Sequence, residues 1–162
     1  MPEPVVYLNG EYLPKREATL SVDERGVLFG DGVYEVVRYF HGRPFTMLEH
    51  TARLARSLAG IELSFDAQTL GPISDDLVRR NGYDEARVYW QVTRGPRPTA
   101  EGPGFPRSHI IDPAMAPTVY LAAEPVEPLL PDTPLPTTTA TTANDERWAN
   151  CWIKSLMLLP NT

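Results

Sequence analysis

Lys154 is the residue of this chain whose surroundings most directly suggest chemistry. It lies in an apolar run, with Trp152 and Ile153 before it and residues 156–159 after it. A lysine in this setting either buries its stem and keeps its ammonium in water, or lies in a partly dry pocket that lowers the pKa of the amine. A Schiff-base lysine needs the second state, because only the neutral amine attacks a carbonyl carbon. Residue type alone favours the first interpretation, since most lysines take no part in chemistry.

Three further candidates alternate along one stretch of the sequence. Residues 33–40 are rich in β-branched and aromatic side chains, which is typical of a strand. Successive side chains of a strand point to opposite faces, so Tyr34, Val36 and Arg38 are expected to share one surface. That surface is either ordinary sheet packing with one solvated arginine or the wall of a binding site.

Glycines crowd the segment just before this strand, at Gly26, Gly30 and Gly32. They either supply the positive φ angles of turns or let the backbone approach a ligand closely. Their spacing matches neither the dinucleotide-binding loop nor the P-loop. The glycines alone therefore predict no phosphate site.

Two helices are expected to support these candidates. Residues 47–61 have the apolar period of an amphipathic helix, whose buried stripe is formed by Leu54, Leu58 and Ile61. Arg53 falls on another face of that helix, where a solvated arginine is the ordinary interpretation. A second helix is predicted from about Pro72 to a cap at residues 81–82. Further strands are predicted at residues 5–8, 11–14, 86–93 and 118–123, the first two joined by an Asn9-Gly10 hairpin.

Composition excludes several classes of function. The chain has 162 residues, 42% apolar residues and a formal net charge of -6 without a basic cluster, which argues against nucleic acid or an anionic membrane as the partner. No apolar run approaches the roughly 18 residues of a membrane helix. Cys151 is the single cysteine, so no internal disulfide forms and a reducing cytoplasm is the simple interpretation. The three histidines show no metal-ligand spacing, so no metal site is predicted.

The chain is expected to divide into three parts. Residues 1–123 form a small α+β domain, and residues 124–136, which hold five prolines, form an extended linker. Residues 137–162 begin a second, larger domain, in which residues 137–142 have strand character and an apolar helix begins near Ser155. Because that helix would have little to pack on, we expect the chain to be the N-terminal part of a longer protein.

Four blocks of the chain carry a family resemblance when they are taken together. One surrounds the lysine, Lys154-Ser155-Leu156-x-Leu158-Leu159, and is preceded by Glu146-Arg147-Trp148 and Cys151. The other three are residues 24–38, 49–54 and 89–95. In this order and spacing, they resemble the class IV (fold-type IV) pyridoxal-phosphate aminotransferases, and most of all their D-amino-acid transaminase branch. The resemblance implies a small N-terminal α/β sandwich-like domain followed by a larger β-barrel-like domain.

The resemblance also implies roles for the candidate residues. Lys154 would bind pyridoxal 5'-phosphate through its amine and then carry a proton between substrate and cofactor. Arg53 would hold the cofactor phosphate, since a guanidinium donates two parallel hydrogen bonds to phosphate oxygens. The Tyr34 hydroxyl would point to the carboxylate side of the substrate, and Val36 and Arg38 would shape the adjoining pocket. The acid that pairs with the pyridine nitrogen is expected beyond residue 162.

One departure from the family pattern affects the predicted substrate. D-amino-acid transaminases carry an arginine and a histidine, two residues apart, in the loop after the block at 89–95, and the pair clamps the substrate carboxylate from the partner subunit. Thr99 and Glu101 align with those positions here. Arg97 or Arg38 would then have to supply the cation, and Arg97 is otherwise an exposed loop arginine. The class and chirality of the substrate stay open.

The function implied by the resemblance is transamination between an amino acid, of the D-amino-acid-like branch, and a 2-oxo acid. The same resemblance implies a homodimer, and the single cysteine favours a cytoplasmic location. Aminodeoxychorismate lyase, branched-chain aminotransferase and R-selective amine transaminase are alternatives within the family, and residues 33–38 favour the D-amino-acid type. An alternative of another class is a non-catalytic fragment that serves only folding or dimerisation.

Overall fold

The computed structural model describes residues 3–98, 108–128, 137–142, 144 and 149–158. Some residues of the family blocks and of the substrate clamp fall outside these ranges. They are Thr99, Glu101, Glu146, Arg147, Trp148 and Leu159. Within the described ranges, the chain forms one six-stranded sheet with helices packed on one face. This architecture confirms the predicted α+β class.

The sheet is antiparallel throughout its described pairs. Its strands are β1 (Val5–Leu8), β2 (Glu11–Pro14), β3 (Gly32–Phe40), β4 (Arg43–Pro44), β5 (Ala86–Thr93) and β6 (Thr118–Pro125). They are arranged in the order β2-β1-β6-β5-β3-β4. Asn9 and Gly10 join the first two strands with φ angles of 50° and 103°, as a tight hairpin requires. β4 is so short that most of the outer edge of β3 stays open to other partners.

The two faces of β3 differ as its alternation predicts. Val33 and Val37 are fully buried on the face that packs against the helices. Tyr34, Val36 and Arg38 share the opposite face, which is more open. The core on the helical face is formed by residues that include Leu54, Leu58, Leu77, Val88, Trp90 and Leu121.

Two helices cover the sheet close to the predicted positions. They are α2 (Met47–Gly60) and α3 (Leu70–Asn81), and Gly82 ends the latter in the left-handed conformation with a φ of 67°. A short helix, α1 (Arg25–Phe29), precedes β3 and was not predicted. The Glu24 side chain caps it by accepting the Gly26 N–H at 3.1 Å. Among the described helices, none combines the length and hydropathy that crossing a bilayer demands.

The expected helix near Ser155 is wrong for the described residues 155–158, which form no helix. Ser155 forms an antiparallel bridge with Val33, and the Leu156 N–H donates to the Gly32 carbonyl at 3.0 Å. The open edge of β3 thus supplies the backbone partners that a helix would have supplied internally. Apolar residues that pack along a sheet edge do not have to recur with the period of a helix.

Two observations bear on the second half of the chain. Residues 137–142 are exposed and form no strand, because no described strand lies beside them to share hydrogen bonds. β6 continues to Pro125, past residue 123. The linker at 124–136 and the domain beginning at 137 remain predictions.

Candidate functional site

A cleft at the open edge of β3 brings three of the predicted residues together. Its volume is about 270 Å³, and it is lined by Tyr34, Arg53, Cys151, Trp152, Ile153, Lys154, Ser155 and Leu158. This volume is close to the lower end of the range for small-molecule pockets, about 300 Å³. Residues from a strand, a helix and the C-terminal segment thus converge, although Tyr34 and Lys154 are far apart in sequence.

The backbone of Lys154 is fixed from two sides. Its carbonyl accepts the Tyr34 N–H at 3.0 Å, and its own N–H donates to Ser57 Oγ at 3.1 Å. The first bond comes from the sheet edge and the second comes from α2. Because both polar groups of the residue are held, the starting direction of the lysine side chain is set by the fold.

The lysine amine lies against an aromatic ring. Nζ of Lys154 is 3.8 Å from the centroid of the Tyr34 ring, a distance at which an ammonium and a ring face attract each other. The side chain is half-buried, while the neighbouring Ile153 is buried in the core. The amine therefore neither lies in the core nor extends freely into solvent. It is held at the wall of the cleft.

Arg53 reaches the same cleft from α2 as part of a charged cluster. Its Nη2 donates to Glu35 Oε2 at 2.6 Å, and its Nε donates to Glu35 Oε1. Nδ1 of His50 lies 2.9 Å from Glu35 Oε2. Glu35 is fully buried, whereas 45% of the Arg53 side chain is exposed. The buried carboxylate thus fixes the plane of a guanidinium that remains accessible.

The cluster shifts the pKa of both partners of the ion pair. Burial acts to raise the pKa of Glu35, but hydrogen bonds from Arg53 and His50, together with their charges, lower it below its usual value. The hydrogen bond to Glu35 raises the pKa of Arg53. Glu35 is therefore held as a carboxylate and Arg53 as a cation.

The donors around the cleft fit pyridoxal phosphate. Within the described part of the chain, Nη1 of Arg53 donates to no acceptor, so it can donate to a phosphate oxygen. The Lys154 amine is the nucleophile that an aldehyde requires. The Tyr34 ring offers an apolar surface in the wall of the cleft. One phosphate donor, one amine and one ring are thus arranged around a cavity of suitable size.

A row of tyrosines extends the cleft across the open face of the sheet, and residue patterns did not single it out. The Tyr34 and Tyr89 rings are stacked with centroids 5.8 Å apart, and the Tyr89 and Tyr120 centroids are 6.4 Å apart. Burial raises the pKa of Tyr89 to about 12, helped by its tyrosine neighbours. On its own strand, each tyrosine alternates with buried residues. Only the order of the strands in the sheet shows that the three tyrosines lie side by side.

The remaining predicted residues do not line the cleft. Val36 is partly exposed on the same face of β3 as Tyr34. Arg38 pairs with Glu85 and donates to the Glu127 carbonyl at 3.2 Å. Arg97 borders a separate, larger groove. The substrate roles of Val36, Arg38 and Arg97 therefore stay predictions, and the charge of Arg38 is already balanced.

One cluster of potential metal ligands lies outside the cleft. Ligand atoms of His41, Asp84 and Glu85 all lie within 4.8 Å of one another. The spacing between the three histidines alone did not predict this group. His41 and Asp84 are exposed and Glu85 is paired with Arg38, so we assign no ion to the cluster.

Comparisons with known proteins show which proteins the chain is similar to. The family model described as "Amino-transferase class IV" matches residues 32–162. The D-alanine aminotransferase of Listeria innocua is 39% identical over 159 residues, which are 96% of this chain and 53% of that protein. The D-alanine aminotransferase of Bacillus licheniformis is 38% identical with the same two coverages. The chain therefore spans about half the length of the curated relatives it matches.

Solved structures support the fold. A branched-chain aminotransferase from Thermoproteus uzoniensis with norvaline matches with a TM-score of 0.62 and 24% identity, covering 77% of this chain and 41% of that chain. A hypothetical aminotransferase from Mycobacterium tuberculosis, in its PLP-bound form, matches with a TM-score of 0.57 and 22% identity, covering 76% and 40%. At this level of identity, the likeness concerns the fold alone.

Proposed function

Because the chain belongs to the class IV aminotransferases, we propose that it forms the lysine-bearing part of a pyridoxal-phosphate-dependent transaminase. The observation that carries the proposal is the convergence of Lys154, Arg53 and Tyr34 on one cleft. The reaction would move an amino group from an amino acid to a 2-oxo acid. Lys154 is the catalytic residue, and Arg53 and Lys154 hold the cofactor.

The chain's own residues supply the nucleophile and the base. When bound, pyridoxal phosphate contributes an aldehyde and a conjugated ring that accepts electrons. The Lys154 amine is positioned to attack a carbonyl carbon and, when neutral, to take a proton from the carbon next to the substrate amine. The bonds to its carbonyl and N–H keep the lysine backbone in place while its side chain moves.

Arg53 is the proposed phosphate anchor in the same cleft. Its bidentate pair with Glu35 consumes one side of the guanidinium and leaves Nη1 for phosphate. A planar, permanently charged group held in this way binds phosphate with a fixed orientation. The distance between anchor and amine is therefore a property of the fold rather than of the ligand.

D-Amino acids and 2-oxo acids are the proposed substrates. The proposal rests on the two D-alanine aminotransferase relatives and on the sequence at residues 33–38. Thr99 and Glu101, which align with the carboxylate clamp, lie outside the described residues. Substrate contacts by Tyr34, Val36, Arg38 or Arg97 belong to the same proposal, as do a homodimeric assembly and a cytoplasmic location.

Absorption spectroscopy and a substrate panel test the proposal. The protein expressed from its native gene is purified, titrated with pyridoxal phosphate, and assayed with D-alanine, L-valine, an R-amine and a chorismate-derived amine. We expect a visible band from lysine-bound cofactor and turnover of D-alanine. Turnover of another substrate instead would replace the D-amino-acid assignment with the matching alternative.

The 162-residue chain is measured alongside as a separate sample. Mass spectrometry establishes whether a second polypeptide co-purifies with it. A cofactor band that appears only when further polypeptide is present would show that this chain supplies the lysine but needs a second part to retain the cofactor. Absence of the band from every sample would contradict transamination and favour a non-catalytic role.

A further inference from the structure

One stripe of α2 faces the cleft and the lysine segment. Arg53, Ser57 and Gly60 are spaced by four and three residues, which places them on one face of the helix. Arg53 lines the cleft, Ser57 bonds to the Lys154 backbone, and Gly60 lies under the residues just before the lysine. The helix therefore supplies one wall residue of the cleft and two contacts to the segment that carries the lysine.

The contact made by Ser57 is a partly buried hydrogen bond to the lysine backbone. Ser57 is fully buried, and its Oγ accepts the Lys154 N–H at 3.1 Å. A backbone N–H that is shielded from water and has no partner is costly, so the bond to Ser57 favours one position of the segment against the helix. The sheet edge alone would hold the Lys154 carbonyl but would leave the N–H unpaired.

Gly60 provides the space into which the segment packs. A Cβ at this position would lie 2.6 Å from Cη2 of Trp152 and 2.9 Å from Cγ1 and Cδ1 of Ile153. Contacts this short force the side chains to move. Ile153 is buried in the core, so any side chain at residue 60 displaces the two residues that precede Lys154.

We propose that Ser57 and Gly60 are positioning residues that fix the Lys154 amine relative to Arg53. α2 is then a rigid spacer, with the phosphate anchor at one turn and the support of the lysine backbone at the next two. The expected effect on cofactor binding rests on the proposed function. The contacts of Ser57 and Gly60 are present in the folded chain without it. Neither residue lines the cleft, so neither is a catalytic residue.

Ser57→Ala is compared with Ser74→Ala, which is a matched control. Ser74 is also a fully buried helical serine, and its Oγ accepts the Trp90 Nε1–H at 2.7 Å, away from the cleft. Ser57→Ala loses the bond to the Lys154 N–H, and Ser74→Ala loses the bonds to the Trp90 Nε1–H and the Leu70 carbonyl, so both are expected to lower thermal stability. Only Ser57→Ala should speed hydrogen exchange at the Lys154 amide, and only Ser57→Ala should weaken pyridoxal phosphate binding, by roughly tenfold.

If Ser57→Ala fails to fold, Gly60→Ala tests the same proposal. Its control is Gly71→Ala, because a Cβ at Gly71 would meet only Met47, at 3.7 Å. Gly60→Ala should raise the pyridoxal phosphate dissociation constant and shift the pH midpoint of the cofactor band, whereas Gly71→Ala should change neither.

The outcomes separate this inference from the proposed function. If the parent binds pyridoxal phosphate covalently while Ser57→Ala and Gly60→Ala match it in exchange rate and dissociation constant, the positioning role is overturned and the function stands. Equal effects in the Ser74→Ala control also overturn it, since they indicate general loosening of the fold. A parent that binds no pyridoxal phosphate overturns the proposed function and this inference together.

Discussion

Nζ of Lys154 lies 3.8 Å above the centroid of the Tyr34 ring, so the ring rather than the hydroxyl supports the amine. Tyr34→Phe keeps that surface and removes only the hydroxyl. We expect Tyr34→Phe to retain cofactor absorbance and to raise KM for the amino acid, because the proposed carboxylate contact is lost. Tyr34→Ala should also alter the position or pH midpoint of the band. A Tyr34→Ala spectrum identical to that of the parent would contradict the supporting role of the ring.

Replacing Arg53 should affect both stability and cofactor binding. Arg53→Ala removes the bidentate partner of the fully buried Glu35 and leaves it paired with His50, a loss that we expect to cost about 1–3 kcal/mol. Urea unfolding measures that loss, and titration with pyridoxal phosphate measures the lost phosphate contact. Arg56→Ala is the control, because Arg56 is exposed on the same helix and should change stability by less than about 0.5 kcal/mol. Similar behaviour of the two variants would refute the phosphate site.

The depressed pKa of Glu35 predicts a specific dependence of stability on pH. A carboxyl whose pKa is lower in the folded than in the unfolded state stabilises the fold above the unfolded pKa, which is about 4.3. That contribution is lost as the pH falls through the lower pKa that the carboxyl has in the folded state. We therefore expect the free energy of unfolding to decrease on acidification below about pH 4.5. Glu35→Gln should decrease less steeply over the same range, and an equally steep decrease would show that other carboxylates dominate.

Gly32 should tolerate no side chain, for reasons that also concern the lysine segment. A Cβ there would lie 2.8 Å from the Val92 carbonyl oxygen and 2.9 Å from Cδ1 of Leu156. The backbone oxygen cannot yield without disturbing the pairing of β3 with β5. We expect Gly32→Ala to destabilise the protein by about 1–3 kcal/mol and to weaken cofactor binding. Thermal unfolding tests the first effect, and wild-type stability in this variant would show that the strands shift freely.

Periodicity predicted the elements that have enough turns or alternations to show it. The strand at residues 33–40 and the helix beginning at Met47 are each long and have one buried face. α1 has only five residues, too few for a period, and its start depends on the Glu24 cap. The helix expected near Ser155 was wrong because an apolar run does not show which sheet edge it will meet.

The site residues also divide into those that the sequence predicted and those that it did not. Lys154, Arg53 and Tyr34 were found through a family resemblance that links distant blocks, and the structure places them around one cleft. Glu35 and Ser57 were missed, since a buried acid or serine acquires its role from a tertiary partner. A charged residue on the inward face of β3 was the available signal for Glu35, because such a residue needs a partner. Nothing in the sequence near Ser57 distinguishes it from an ordinary helical serine.

Chemical trapping tests the central claim most directly. The sequence has only two lysines, Lys154 and the exposed Lys15, so the chain contains its own control. Borohydride reduces a lysine–cofactor C=N bond to a stable amine, and digestion followed by mass spectrometry locates the phosphopyridoxyl group. The account predicts one label, on the peptide that contains Lys154, which persists in Lys15→Ala and disappears in Lys154→Ala. Label that remains in Lys154→Ala, or that divides equally between the two lysines, would contradict it.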